Sequence, residues 1–321
     1  MLFLKDRFSA SGPNWVQIGK KDSHLIGQLS DLVNAEYAQI IGEIREIYKV
    51  VGLELNSSNF LIDGTKNNII LKVLGNDEFN LFKSQELIYQ KIQDEGLPIP
   101  QIINSSNNNL YFQKPYLAIE YLSGKYFSGS NEDLILTSQA VNTLHRGLEK
   151  LDLSCFDEIE TYQENSTVII DALSEYQKDW KLIFGDRLSL LLEENLELIY
   201  ATDAICKENL SRIFEAPSSV FHIDLHPHNL LLTANDARII DIDSLKISRW
   251  PTAIGFCFYK LSRQAISFQG IKSIDLNEIK NFSASLSEHI NFSGNKSNLL
   301  LICAMTEVMR RLLIILEQNL T

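Results

Sequence analysis

The run FHIDLHPHNLLL, Phe221 to Leu232, gathers three histidines, an aspartate and an asparagine into eight residues and closes on three leucines. Three chemistries compete for it: a metal cage, a nucleophile relay, or a turn that handles phosphate. A cage would use His222, Asp224, His226 and His228, since imidazole and carboxylate suit zinc and similar ions. No further His or Cys cluster follows nearby, however, and the remaining histidines, His24, His145 and His289, are scattered. The plainest reading is a strand ending in a polar turn, with no chemistry. The sequel argues against that. Twelve residues after Asn229, the run RIIDIDS sets Asp241 and Asp243 at the end of a second apolar strand, with an NDA turn between the two. A hairpin of this kind is expected to bring Asp224, Asn229 and Asp241 to one end. Two carboxylates and an amide oxygen without a thiolate make a hard-oxygen site. Such a site suits Mg²⁺, which shares its ligands with water and substrate phosphates.

The rest of the chain bounds what that site can serve. At 321 residues and 45% apolar content, the sequence supports two domains with real cores. Its net charge of -12 argues against nucleic acid as the main partner, because a polyphosphate calls for a basic face. Four cysteines lie far apart without a C-x-x-C pair, which fits a reducing cytoplasm better than a disulfide framework. The opening MLFLKDRFSASG does not read as a secretory signal. The most apolar tract, LLLICAMTEVMRRLLIILEQNL, is interrupted by Glu307, Arg310 and Arg311, so it reads as a buried amphipathic helix and not a membrane span.

Working outward, residues 25–50 carry apolar positions at helical spacing (Leu25, Ile26, Leu29, Leu32, Val33). The texture then turns strand-like: VGLEL, NFLID and NIILKVL are separated by Asn, Ser, Gly and Asp, which predicts two or three antiparallel strands. FNLFKSQELIYQKIQDEG reads as a helix with Gly96 and Pro98 as stop signals. Further strands are expected at Ile102–Ile103, Tyr111–Phe112 and Tyr116–Tyr121. Beyond Gly124 the pattern is mainly helical, near 131–151, 163–185, 186–210 and 297–319, around the β-rich insert that holds the opening run. Residues 1–122 carry 11 basic and 14 acidic side chains, leaving 18 and 27 beyond, so most of the negative charge lies in the second part.

With these residues in view, the chain resembles the aminoglycoside phosphotransferase and choline kinase family, small-molecule kinases related to protein kinases. The family motif His-x-Asp-x-x-x-x-Asn is matched by His222, Asp224 and Asn229, and the Asp-containing strand after it by Ile240-Asp241-Ile242-Asp243. The resemblance implies an α+β, bilobal protein-kinase-like fold, with a small antiparallel-sheet nucleotide-binding lobe over 1–122 and a mainly helical catalytic and substrate-binding lobe over 123–321. It implies transfer of the γ-phosphoryl group of ATP or GTP to a small-molecule hydroxyl. In such chemistry the protein positions the acceptor while metal ions neutralise the transferring group. Asp224 becomes the catalytic base or orienting carboxylate, Asn229 and Asp241 hold Mg²⁺, Asp243 assists, and His222 braces the loop backbone.

By the same resemblance, Lys72 in NIILKVLG holds the α and β phosphates and Glu86, fourteen residues on, orients it. Taken alone, Lys72 reads as an edge-strand lysine pointing to water. The segment NSSNF stands where a phosphate-covering loop belongs, with Ser57 and Ser58 offering hydroxyl and backbone N–H groups. YLAIEYLSG matches the hinge strand, so adenine is expected on the backbone near Glu120 to Leu122. Where relatives often carry an acidic residue in the helix after the metal aspartate, this chain reads RWPTAIGFCFYKLSRQ. The acidic surplus beyond residue 122 is compatible with a polycationic aminoglycoside, yet Glu193, Glu194 and Glu197 read better as a solvated helix face. Amino sugars, sugars and amino alcohols all remain candidate acceptors, because a fold does not choose among them. The reading of another class is a kinase-fold binding or regulatory protein without catalysis. The clustered carboxylates favour the enzyme, since a binding module has no need to hold them together against their repulsion. A zinc hydrolase built on the three histidines stands third.

Overall fold

In the computed structural model, described residues are 15–19, 22–50, 58–73, 90–103, 110–111, 114–151, 159–162, 180–241, 244–270, 275–290 and 294–318. Its strands in chain order are β1 (Trp15–Gln17), β2 (Ile44–Val50), β3 (Ser58–Gly64), β4 (Ile69–Val73), β5 (Ile102–Ile103), β6 (Leu110–Tyr111), β7 (Lys114–Glu120), β8 (Lys125–Tyr126), β9 (Ser218–His222), β10 (Leu230–Leu232), β11 (Ala237–Ile239) and β12 (Leu245–Arg249). The helices are α1 (Ser23–Ile41), α2 (Asn131–Lys150), α3 (Trp180–Glu194), α4 (Leu196–Phe214), α5 (Trp250–Gln269), α6 (Leu276–Leu286) and α7 (Lys296–Gln318). The chain divides into two compact units, one of residues 1–128, 150–158 and 227–243, the other of 129–149, 159–226 and 244–321.

The first unit is built on an antiparallel sheet in the order β1-β2-β3-β4-β7-β5, with β6 also pairing β7. Alternation in IILKV turns Ile69, Leu71 and Val73 to one face. That face packs against Leu29, Val33, Tyr37 and Ile41 of α1, which recur every fourth residue and so lie along one stripe. Full burial of one Leu or Ile side chain is worth roughly 1.5–3 kcal/mol, so this stripe alone fixes the helix on the sheet. One expectation fails here. IREIYKV continues the helical spacing in sequence, but Gly42, at φ 74°, ends α1, and residues 44–50 become strand β2. Pairing with β3 from Ile44↔Gly64 to Lys49↔Phe60 overrides the local pattern. The VGLEL run lies outside the described residues.

The second unit is mostly helical. Its two-stranded sheet pairs β9 with β12 antiparallel, from Leu245↔His222 to Arg249↔Ser218. Helices α5 and α7 pack closely because Gly255 has no side chain: a Cβ there would lie 2.4 Å from Cys303 Cβ. The helical run expected over 186–210 is interrupted, with α3 ending at Glu194 and α4 starting at Leu196. Among the described residues no helix is long and apolar enough to cross a membrane.

Candidate active site

The opening run spans the junction of the two units, so each part of the site is described within its own unit. In the second unit β9 ends at His222, which is fully buried. Its Nδ1 accepts the backbone N–H of Asp224 at 3.2 Å. This fixes the ring orientation and holds the turn that presents Asp224, as a bracing role for His222 requires. His226 Nε2 lies 3.8 Å from Asp224 Oδ2.

Asp224 lines a cavity of about 360 Å³ together with Tyr162, Phe256, Glu307, Arg310 and Arg311. Beside these groups, burial lowers the Lys260 ammonium to about 8; the neighbouring Arg311 and Arg263 push in the same direction, while Asp224 and Glu307 oppose. Glu307, Arg310 and Arg311 are cavity groups that sequence reasoning passed over. Their signal in the sequence is the set of charges that interrupts the most apolar tract.

In the first unit, Pro227–Asn229 forms a single 3₁₀ turn leading into β10. The expected hairpin is present: β10 pairs β11 through Leu230↔Ile239 and Leu232↔Ala237. The turn between them is closed by Thr233 N–H to the Asp236 carbonyl at 2.9 Å. The ladder runs one step past the strands, since Ile240 N–H donates to the Asn229 carbonyl at 3.0 Å. Asn229, itself buried, is thereby held beside the residue that precedes Asp241. His228 packs edge-on against Tyr126, ring centroids 5.4 Å apart.

Lys72 does not sit on an edge strand. β4 lies between β3 and β7, with Lys72 opposite Asn59 on one side and Leu117 on the other. Its side chain, 18% exposed, reaches Asp241 Oδ1 at 3.7 Å. Sheet and hairpin thus bring Lys72, Asn229 and Asp241 into one compact unit. At the expected hinge, Glu120 N–H donates to the Gln101 carbonyl at 2.8 Å and is committed to the sheet. Leu122 follows β7, half-buried. The segment taken as a phosphate-covering loop is already strand from Ser58 onward, because Ser58, Asn59 and Phe60 pair with Val73, Lys72 and Leu71. Ser57, Glu86 and Asp243 lie outside the described residues.

The donor set answers which metal these residues fit. Among the described residues no three His, Cys, Asp or Glu side chains converge as metal ligands. The zinc cage of four loop residues is not among such groups in the described residues: His222 Nδ1 accepts the Asp224 N–H, and His228 packs edge-on against Tyr126. One amide and one carboxylate beside a lysine do fit Mg²⁺, which takes few protein ligands and completes its shell with phosphates and water.

Comparison with known proteins agrees with this layout. Residues 51–248, more than half of the chain, match the model of the phosphotransferase enzyme family. Spectinomycin phosphotransferase APH(9)-Ia, solved in complex with ADP and spectinomycin, is 14% identical with a TM-score of 0.58 over 90% of this chain and 86% of that one. Ethanolamine kinase from Plasmodium vivax is 12% identical with a TM-score of 0.53, over 96% and 86%. A Staphylococcus aureus protein described as an uncharacterized protein in the ileS 3′ region is 26% identical over 129 residues, 39% of this chain and 92% of that protein. The α+β, kinase-like fold, an antiparallel-sheet region followed by a mostly helical one, is therefore shared with these two solved kinases, and the chain belongs to the phosphotransferase enzyme family.

Proposed function

We propose that the protein transfers the γ-phosphoryl group of ATP, with GTP as the alternative donor, to a hydroxyl of a small molecule. The observation that carries this is the pairing of Lys72 with Asp241 on the unit that also holds Asn229, with Asp224 only five residues before Asn229 in the chain. Residues 1–122 are assigned as the nucleotide-binding lobe and 123–321 as the catalytic and substrate-binding lobe, in a cytoplasmic protein.

Asp224 accepts or orients the proton of the acceptor hydroxyl. Lys72 holds the α and β phosphates, a task for which a lysine tethered by a carboxylate is already oriented. Asn229 and Asp241 hold Mg²⁺, with Asp243 assisting; when bound, the ion neutralises charge on the transferring group. Glu86 orients Lys72, and Ser57 and Ser58 contact phosphate. Because Glu120 N–H is spent on Gln101, adenine takes its backbone donors from Tyr121 or Leu122, with the Glu120 carbonyl as acceptor.

The test is thermal stabilisation of the full chain by ATP and GTP with and without Mg²⁺, alongside acceptor-stimulated nucleoside diphosphate formation. Stabilisation that requires Mg²⁺, with turnover on adding an acceptor, is expected. Nucleotide binding without turnover under any acceptor would point instead to the non-catalytic binding protein.

A further inference from the structure

The acidic surplus of the second part of the chain does not collect in the cavity lined by Asp224. Glu193, Glu194 and Glu197 are exposed and absent from its described lining. That lining holds two acidic residues, Asp224 and Glu307, and two basic ones, Arg310 and Arg311. Glu307 is 8% exposed, and both of its oxygens are taken up by the arginines. Arg310 forks onto it, Nε to Oε2 at 2.7 Å and Nη2 to Oε1 at 2.8 Å, while Arg311 Nε reaches Oε1 at 2.6 Å.

One carboxylate thus engages two guanidinium groups, and this wall of the cavity keeps a net positive charge. A guanidinium has five N–H donors, so the two arginines retain further donors beyond those spent on Glu307. Their side chains are 27% and 34% exposed, which leaves the heads within reach of a ligand. Arg311 is held in place, its guanidinium carbon 5.8 Å from the ring centroids of both Phe256 and Tyr259. Planar N–H edges of this kind recognise a carboxylate bidentately. At about 360 Å³ the cavity lies at the small end of ligand sites, enough for a compact acceptor.

We propose, resting on the kinase reading above, that the acceptor is a small hydroxy acid whose carboxylate docks on Arg310 and Arg311 while its hydroxyl meets Asp224. A polycationic acceptor would meet two guanidinium groups here and be repelled. Glu307 acts as an internal carboxylate that pre-orients the arginines and tempers their charge.

The test measures binding to the full chain by calorimetry, without nucleotide, using glycerate and gluconate against their methyl esters, and choline and spectinomycin as cationic arms. The free acids are expected to bind at least about tenfold more tightly than the esters, since a charge-assisted hydrogen bond is lost on esterification. Arg311→Gln should remove that preference and leave ester binding unchanged. Glu307→Gln keeps an amide oxygen to orient the arginines and removes the competing negative charge, so acid binding should tighten. The two variants move affinity in opposite directions, which a damaged fold does not mimic. Equal binding of acid and ester, or a preference for the cationic arms, overturns the proposal and leaves the kinase reading standing. If the acid pattern holds but no acceptor supports Mg²⁺-dependent turnover, the kinase reading fails and the anion pocket remains.

Discussion

The ammonium of Lys72 stands 3.7 Å from a carboxylate oxygen of Asp241, although 169 positions separate them in the chain. The pair joins the central strand of the sheet to the hairpin that follows the opening motif. Removing the ammonium while keeping the stem's bulk separates its phosphate role from its packing. Lys72→Met is expected to lower kcat/KM for nucleotide about 10- to 100-fold, the worth of a charge-assisted contact. Steady-state kinetics with ATP varied would check this, and an unchanged value would remove Lys72 from the phosphate site.

Asp224→Asn keeps the side chain's shape and removes its basicity. Loss of a positioned base costs about 10²- to 10⁴-fold in kcat, while nucleotide binding should persist. Rapid-quench turnover and a nucleotide titration on the same variant give both numbers. Retained turnover would sink the assignment of Asp224.

Gly255 sets the approach of α5 to α7, the helices that carry Phe256 on one side of the cavity and Glu307, Arg310 and Arg311 on another. Gly255→Ala would place a methyl 2.4 Å from Cys303 Cβ, and the helices must part. Overpacking of this kind costs about 1–3 kcal/mol. Urea unfolding should show the loss; a variant as stable as the wild type would mean that the helices part without cost.

Acid should destabilise the second unit through the buried His145 and the half-buried His289. Burial, then the neighbouring His289 and His222, holds His145 well below the usual imidazole range. Burial first, then Arg146 and Lys296, lowers His289 to about 4, and its Nδ1 contacts Asn142 Oδ1 at 2.5 Å. Both pKa values are depressed on folding, so the unfolded chain binds more protons in between. Stability is therefore fully present above the ordinary value near 6.5 and is lost as pH falls toward 4. For His289 the loss is on the order of 3 kcal/mol. Thermal melts from pH 8 to 4 should show the decline, shallower in His289→Asn; parallel curves for the two proteins would contradict it.

Much of the site was legible because its geometry is local. In the run from His222 to Asp241, a strand end, a 3₁₀ turn and a hairpin fix the backbone, and the residue types at those spacings carry the resemblance to small-molecule kinases. Gly42, two residues before β2, was the available sign that the helical spacing of α1 does not continue through Ile44 and Ile47. That sign is weak by itself, because i, i+3, i+4 spacing in IREIYKV is equally readable as helix until β3 supplies a partner.

The sequence by itself determined the order of sheet and helical parts and the spacing of Asp224, Asn229 and Asp241, since short-range backbone geometry follows from local residue types, and those residues carry the resemblance that implied the kinase-like class. The tertiary structure decided that Lys72 is central in its sheet and lies against Asp241. It also decided that Glu307, Arg310 and Arg311 share a cavity with Asp224. Net charge over a segment gives no direction. Only the packing of α7 against α5, made possible by the bare backbone at Gly255, determines that this cavity is lined by two arginines while Glu193, Glu194 and Glu197 stay in solvent.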